Sequence, residues 1–277
     1  LGPIGGVSGK APIAALPMYD FPWIAAANDA LWAAISARLA EAGVQAPISL
    51  TRGSDLAAQW LDRSLIFGQT CGYPYMTSLR DKVTLIATPE YSFPGCAGAW
   101  HRSFIIRRAS DPRWSLSEFR GGTAALNAHN SNTGMNLFRA AIAPIAGGAP
   151  FFSSVGVTGS HEASVEAVAE GRADVAAIDC VSFALLKRGR PELVEHVAVV
   201  AETPLSRGLP FIASSSLGRS TIDAVRKALL GVLAHPELAE ARKTLGLNGA
   251  RAARPADYDR VKEIEREAAA AGYPLLA

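Results

Sequence analysis

The chain of 277 residues is poor in cysteine and in charge, and it has no long apolar run. Its three cysteines, Cys71, Cys96 and Cys180, include no Cys-x-x-Cys pair, which argues against a zinc site, and no other metal motif stands out in the sequence. No apolar stretch approaches the roughly 20 residues that a membrane-spanning helix needs. The formal net charge is only +2 and no Lys/Arg cluster is present, which weighs against a nucleic-acid partner. There is no internal repeat, no heptad pattern and no Gly-x-Ser-x-Gly nucleophile elbow. The opening residues 1–10 lack the apolar core of a signal peptide and read as a tag remnant or a trimmed N-terminus. Their Gly9-Lys10 ending fails the phosphate-loop pattern, because Ile4 stands five residues before Gly9 and Ala11 follows Lys10.

What is present is a globular composition. Hydrophobic residues make up 49% and charged residues 19% of the chain, enough for a large core. From residue 13 onward, strand-like and helix-like segments alternate. Strands are expected at 13–18, 47–51, 65–68, 83–87, 103–107, 123–126, 151–157, 175–178 and 197–202. Helices are expected over 24–39, from a Ser54 cap to 61, over 131–146 and 160–170, from 181, and through most of the chain after 210. Such alternation predicts parallel sheets covered by helices on both faces, and two such runs predict two lobes.

In open α/β sheets, ligands sit beyond the carboxyl ends of the strands. Here those ends carry polar, Gly-rich segments: Tyr19-Asp20, Gly68-Gln69-Thr70-Cys71-Gly72-Tyr73, residues 127–134, Thr158-Gly159-Ser160-His161, and Asp179. Ser131, Asn132 and Thr133 before Gly134 open a helix. They can cap its free N–H groups, or leave those groups and the positive end of the helix dipole to hold an anion. His161 stands in a first helical turn, where a cation is poorly placed. It is either neutral and hydrogen bonded or charged against a bound anion. Asp179 ends an apolar strand, either as a helix cap or as an acceptor for a ligand oxygen or amine that bears a proton. Asp20 before Phe21-Pro22 has the same two readings. Tyr19, Tyr73, Tyr75, Trp100 and Phe183 flank these loops and suit a small-molecule pocket. Cys71 and Cys96 lie in loops, and a disulfide between them is expected for an exported protein.

The segments Leu16-Pro17-Met18-Tyr19-Asp20, Gly68-Gln69-Thr70-Cys71-Gly72-Tyr73-Pro74-Tyr75, Thr158-Gly159-Ser160-His161-Glu162-Ala163-Ser164 and Gly171-Arg172-Ala173-Asp174-Val175-Ala176-Ala177-Ile178-Asp179 resemble, in order and spacing, the phosphate/phosphite/phosphonate substrate-binding proteins of ABC transporters. The resemblance covers nearly all of the chain after Lys10. It implies a type II periplasmic-binding-protein fold: two doubly wound α/β lobes joined by two hinge-strand crossings, placed at 102–107 and 199–205. One lobe would hold residues 11–102 plus 204–277, the other 103–203. A small phosphorus oxyanion would bind reversibly in the cleft between them, closed by hinge motion. By the same resemblance, the ligand-binding residues are Tyr19, Tyr75, Ser131, Asn132, Thr133, Gly134, His161 and Asp179; Asp20, Gln69 and Thr70 join the candidates from their places at strand ends. An Asp at the site would favour protonated oxyanions over sulfate. The expected protein is a monomer, periplasmic or lipid-anchored, with an ABC permease as partner, no cofactor and no enzymatic activity. The rivals are a different ligand in the same clamp (a sulfonate, an osmolyte or a vitamin precursor), a sensing module, and, last, an enzyme.

Overall fold

The structure, a computed structural model, describes residues 10–53 and 55–277. Its chain divides into two units: Leu1–Cys71, Thr77–Tyr91 and Leu209–Pro255 in the first, and Gly72–Met76, Ser92–Gly208 and Ala256–Ala277 in the second. The division expected from the sequence, 11–102 plus 204–277 against 103–203, therefore moves. Residues 92–102, 204–208 and the C-terminal segment all belong to the second unit. Packing explains the last of these shifts. Ala268 and Tyr273 join the second unit's apolar core, and the N–H groups of Phe151 and Phe152 donate to the carbonyl of Ala277 at 2.7 and 3.1 Å. Residues 1–9 and the expected cap Ser54 lie outside the described residues. Asp55 caps the Leu56–Leu61 helix instead, accepting the Ala58 N–H at 2.9 Å.

With strands numbered along the whole chain, the first unit holds β1 (Ile13–Ala15), β2 (Leu65–Gln69), β3 (Val83–Tyr91), β11 (Phe211–Ser214) and β12 (Leu247–Ala252). The sheet order is β1-β2-β11-β3-β12, with β1 parallel to β2 and every other pairing antiparallel. The purely parallel expectation fails here because the chain leaves this unit after Tyr91 and returns at Leu209, and β11 then inserts between two earlier strands. Helices Ala25–Glu41 and Arg219–Leu233 present Leu31, Trp32, Ile35, Leu39, Val225 and Leu229 to the core. Trp32 stacks on Phe67 at 5.8 Å, and Phe67 lies 5.0 Å from Phe211. Residues 47–51, expected as a strand, form none. The Pro47 carbonyl is held by Trp32 Nε1 at 3.1 Å and Ser36 Oγ at 3.2 Å rather than by a ladder, and Ile48 is 95% exposed.

The second unit holds β4 (Trp100–His101), β5 (Ser103–Arg108), β6 (Thr123–Leu126), β7 (Ser154–Val157), β8 (Val175–Asp179), β9 (Val197–Glu202) and β10 (Ser206–Arg207). Its main sheet runs β7-β6-β8-β5-β9. Strand β6 is parallel to both β7 and β8, while β5 is antiparallel to β8 and β9. The segments expected as crossings are thus neighbouring strands of one sheet. A small ribbon pairs β10 with β4, placing Ser206 opposite His101. Phe119, Phe138, Ile142, Phe151, Val175 and Ala177 form the core. Because β7, β6 and β8 run the same way, their carboxyl ends share one edge, and each feeds a helix: Leu137–Ala146 behind a π-helical turn Asn132–Asn136, then His161–Ala169, then Cys180–Gly189.

Candidate anion site

The edge shared by β6, β7 and β8 gathers Ser131, Asn132, Thr133, Gly134, His161 and Asp179 in the second unit. Ser131 caps its helix, accepting the Gly134 N–H at 2.9 Å. The turn that follows closes through bonds of i to i+5, from Asn136 N to Ser131 O and from Leu137 N to Asn132 O. Such a turn leaves one more leading N–H without an intrahelical acceptor than an α-turn does. The dipole of the following helix adds positive potential at the same place.

Gly134 is required by close approach rather than by backbone angle. A Cβ there would fall 1.9 Å from Asn127 Oδ1 and 3.2 Å from His161 Cε1. Thr133 Oγ1 lies 3.1 Å from His161 Nε2, and the Thr133 carbonyl accepts from Ser103 Oγ at 2.9 Å. Asn132, fully buried, is a structural tie: its amide donates to Ser206 Oγ at 3.0 Å, and its oxygen accepts from Asn136 at 3.0 Å. Asn127 Oδ1 and His161 Nδ1 are buried polar atoms without a hydrogen-bond partner among the described residues.

Asp179 is 1% exposed, and both of its oxygens are engaged inside the protein. Oδ1 accepts the N–H groups of Val181 and Ser182 at 3.0 and 2.9 Å, a helix cap. Oδ2 stands 3.2 Å from His101 Nδ1, an ion-pair contact that falls short of a well-aligned hydrogen bond. Burial works to lower the pKa of His101, but the Asp179 carboxylate outweighs it and holds the imidazole above its ordinary range. Burial also opposes ionisation of Asp179, yet His101 and the helix N–H groups keep it below the usual carboxylate range. His161 goes the other way. Burial lowers its pKa and outweighs the opposing pull of the Asp179 carboxylate, with His101 adding to the lowering, so the neutral form is favoured. The site therefore contains one imidazole favoured as a cation and one favoured as a neutral group, sharing one carboxylate. Sequence reasoning missed His101, Ser103 and Asn127. A single His before a strand carries no signal until the sheet pairs Ser103 with Asp179.

The remaining expected residues lie elsewhere. In the first unit, Tyr19 meets Tyr91 edge to face at 5.4 Å, and Gln69 Nε2 approaches Tyr91 Oη at 3.4 Å. Thr70 is fully buried, its N–H bonded to Pro210 O and its hydroxyl without a hydrogen-bond partner among the described residues. Asp20 is tied to Arg52 at 2.6 Å and to Asn28 at 3.0 Å. Tyr75, in the second unit, is 1% exposed and packs against Tyr258 at 5.1 Å. The expected Cys71–Cys96 disulfide is replaced by a different proximity. All three cysteines are free thiols, and Cys96 Sγ lies 3.5 Å from Cys180 Sγ because its loop packs on the helix that Cys180 begins.

Solved structures of similar shape place the fold among the periplasmic binding proteins. A binding-protein component of an ABC phosphonate transporter from Pseudomonas aeruginosa matches with a TM-score of 0.75 at 17% identity, over 95% of this chain and 88% of that one. PhnD1 of Prochlorococcus marinus, solved with methylphosphonate, matches with a TM-score of 0.72 at 14% identity, over 93% and 98%. A Xanthomonas citri protein solved bound to ATP matches with a TM-score of 0.70 at 17% identity, over 95% and 98%. No curated protein matches the chain. The family model for the periplasmic phosphonate substrate-binding proteins of ABC transporters matches residues 13–258, and the chain belongs to that family. Its role is that of a substrate-binding component, in a family that works with a membrane permease and a small ligand.

Proposed function

We propose that the protein binds one small phosphorus oxyanion (a phosphonate, phosphite or phosphate) reversibly and without turnover, as a periplasmic monomer, at the Ser131–Gly134 turn. The observation that carries this reading is the turn itself. Its π-helical opening supplies N–H donors, its glycine lets the Asn127 amide oxygen close on the backbone, and the Thr133 hydroxyl stands beside it. Neutral donors suffice for an anion, because donors fixed in a low-dielectric site act more strongly than in water. Asp179 acts through His101 rather than on the ligand. The preference against sulfate, expected from a ligand-facing Asp179, passes to Asn127 Oδ1, a buried acceptor next to Gly134. A P–OH can donate to that oxygen, whereas sulfate has no proton to offer.

Calorimetric titration against methylphosphonate, 2-aminoethylphosphonate, phosphite, phosphate and sulfate tests the reading, with mass analysis of the ligand after incubation. Micromolar or tighter binding of one phosphorus oxyanion, recovered unchanged and at least tenfold tighter than sulfate, is expected. Heat from none of the phosphorus ligands would overturn the ligand class, and a chemically altered ligand would overturn the absence of turnover.

A further inference from the structure

Cys96 sits on a turn closed by its own N–H donating to Phe93 O at 3.0 Å, and it is half-buried. Cys180, fully buried, begins the Cys180–Gly189 helix next to Asp179. Their sulfurs are 3.5 Å apart. Two further contacts hold the turn against that helix, and a third sets it against β5. Gly95 has φ +89°, and a Cβ there would meet Cys180 Cβ at 2.7 Å, so only glycine allows this approach. The same Cβ would meet Phe104 Cζ at 3.0 Å. The Arg188 guanidinium, two turns along the helix, lies 4.6 Å from the centre of the Phe93 ring. The two thiols are therefore held side by side, and closing their gap to a bond takes a movement of roughly 1.5 Å, within reach of side-chain rotation.

We propose that Cys96 and Cys180 are an oxidisable dithiol, converted to an intramolecular disulfide by exchange with a small-molecule disulfide. The half-buried Cys96 reacts first. Its thiolate attacks one sulfur of the oxidant, a mixed disulfide forms, and the departing thiolate takes up the proton Cys96 has lost. The Cys180 thiolate then attacks Cys96 Sγ, the protein disulfide forms, and the second oxidant thiolate leaves with the proton from Cys180. Two electrons pass from the cysteines to the oxidant, which ends as two thiols. The hydrogen bond from Cys96, and then burial, push the Cys180 thiol far up, so the second step is the slow one. The product ties the turn to the helix whose first N–H groups Asp179 caps.

Incubation of the whole protein with oxidised glutathione tests this. The expected product has lost two hydrogens, keeps one alkylatable thiol at Cys71, and gives a peptide joining Cys96 to Cys180. Its melting temperature is roughly 5 °C or more above that of the reduced protein. Cys96→Ser, on the half-buried turn, should fold normally and show no shift. Cys180→Ala should stop at the mixed disulfide on Cys96. Three alkylatable thiols after oxidation, a stable glutathione adduct on the unaltered chain, or a bridge that includes Cys71 would each overturn the proposal.

Discussion

Two polar clusters, one in each unit, are built from different chemistry. In the second unit, the ends of β6, β7 and β8 bring together the Ser131–Gly134 turn, Asn127, two imidazoles and a carboxylate. In the first unit, the cluster around Tyr91 consists of phenols and an amide, Tyr19 and Gln69, while its nearby acid, Asp20, is neutralised by Arg52. Parallel strand ends with helix N-termini gather positive potential at one edge, and the second unit has three of them. The first unit's sheet is mostly antiparallel and lacks that convergence. Anion affinity and its pH dependence should therefore reside in the second unit.

The sharpest break of this contrast is Asp179→Asn. It leaves a buried His101 without its counter-charge, which should cost roughly 3–5 kcal/mol in denaturant unfolding. Gly134→Ala comes next. With its Cβ 1.9 Å from Asn127 Oδ1, the side chain must be expelled from its place, at about 1–3 kcal/mol and at least tenfold weaker phosphonate binding by calorimetry. Thr133→Val removes one hydroxyl and strips the buried His161 Nε2 of its partner, so it should weaken binding roughly tenfold and cost about 1–3 kcal/mol of stability.

The two imidazoles give a pH signature. The raised pKa of His101 means that its contribution to stability is complete below about pH 6.5, the ordinary imidazole value, and is lost as pH rises through the folded-state value. The lowered pKa of His161 makes its contribution complete above about pH 6.5 and lost as pH falls toward its folded-state value. Stability should therefore decline on both sides of neutrality, and His101→Gln should remove the alkaline limb of a melting-temperature profile and weaken the acid one, because His101 also lowers the pKa values of His161 and Asp179. The smallest effect belongs to the first unit. Asp20→Asn breaks an ion pair whose Arg52 side is exposed, keeps an amide in the carboxylate's place, should cost about 1 kcal/mol, and should leave anion affinity unchanged. A large loss of affinity there would erase the contrast between the two clusters.

Much of the second unit was legible in the sequence. Strand β9 and the strands at 123–126 and 175–179 follow from short apolar runs bounded by Gly and polar residues, and the caps at Ser131 and Ser160 follow from residue type. The short strands β11 and β12 were not legible. β12 reads Leu-Asn-Gly-Ala-Arg-Ala, without a β-branched residue, and it is a strand because β3 offers it an open edge.

Local pattern and motif spacing were enough to determine the α/β alternation, the family, and the Ser131–Gly134 turn with His161 as the anion-binding candidate. These depend on residues close together in the chain, where periodicity and capping act directly. Tertiary structure alone decided that Asp179 faces His101 rather than solvent, that Asn132 is a tie, and that Cys96 neighbours Cys180. Each of these depends on partners 74 to 84 residues apart, brought together by sheet pairing and helix packing, and no local pattern encodes such a meeting.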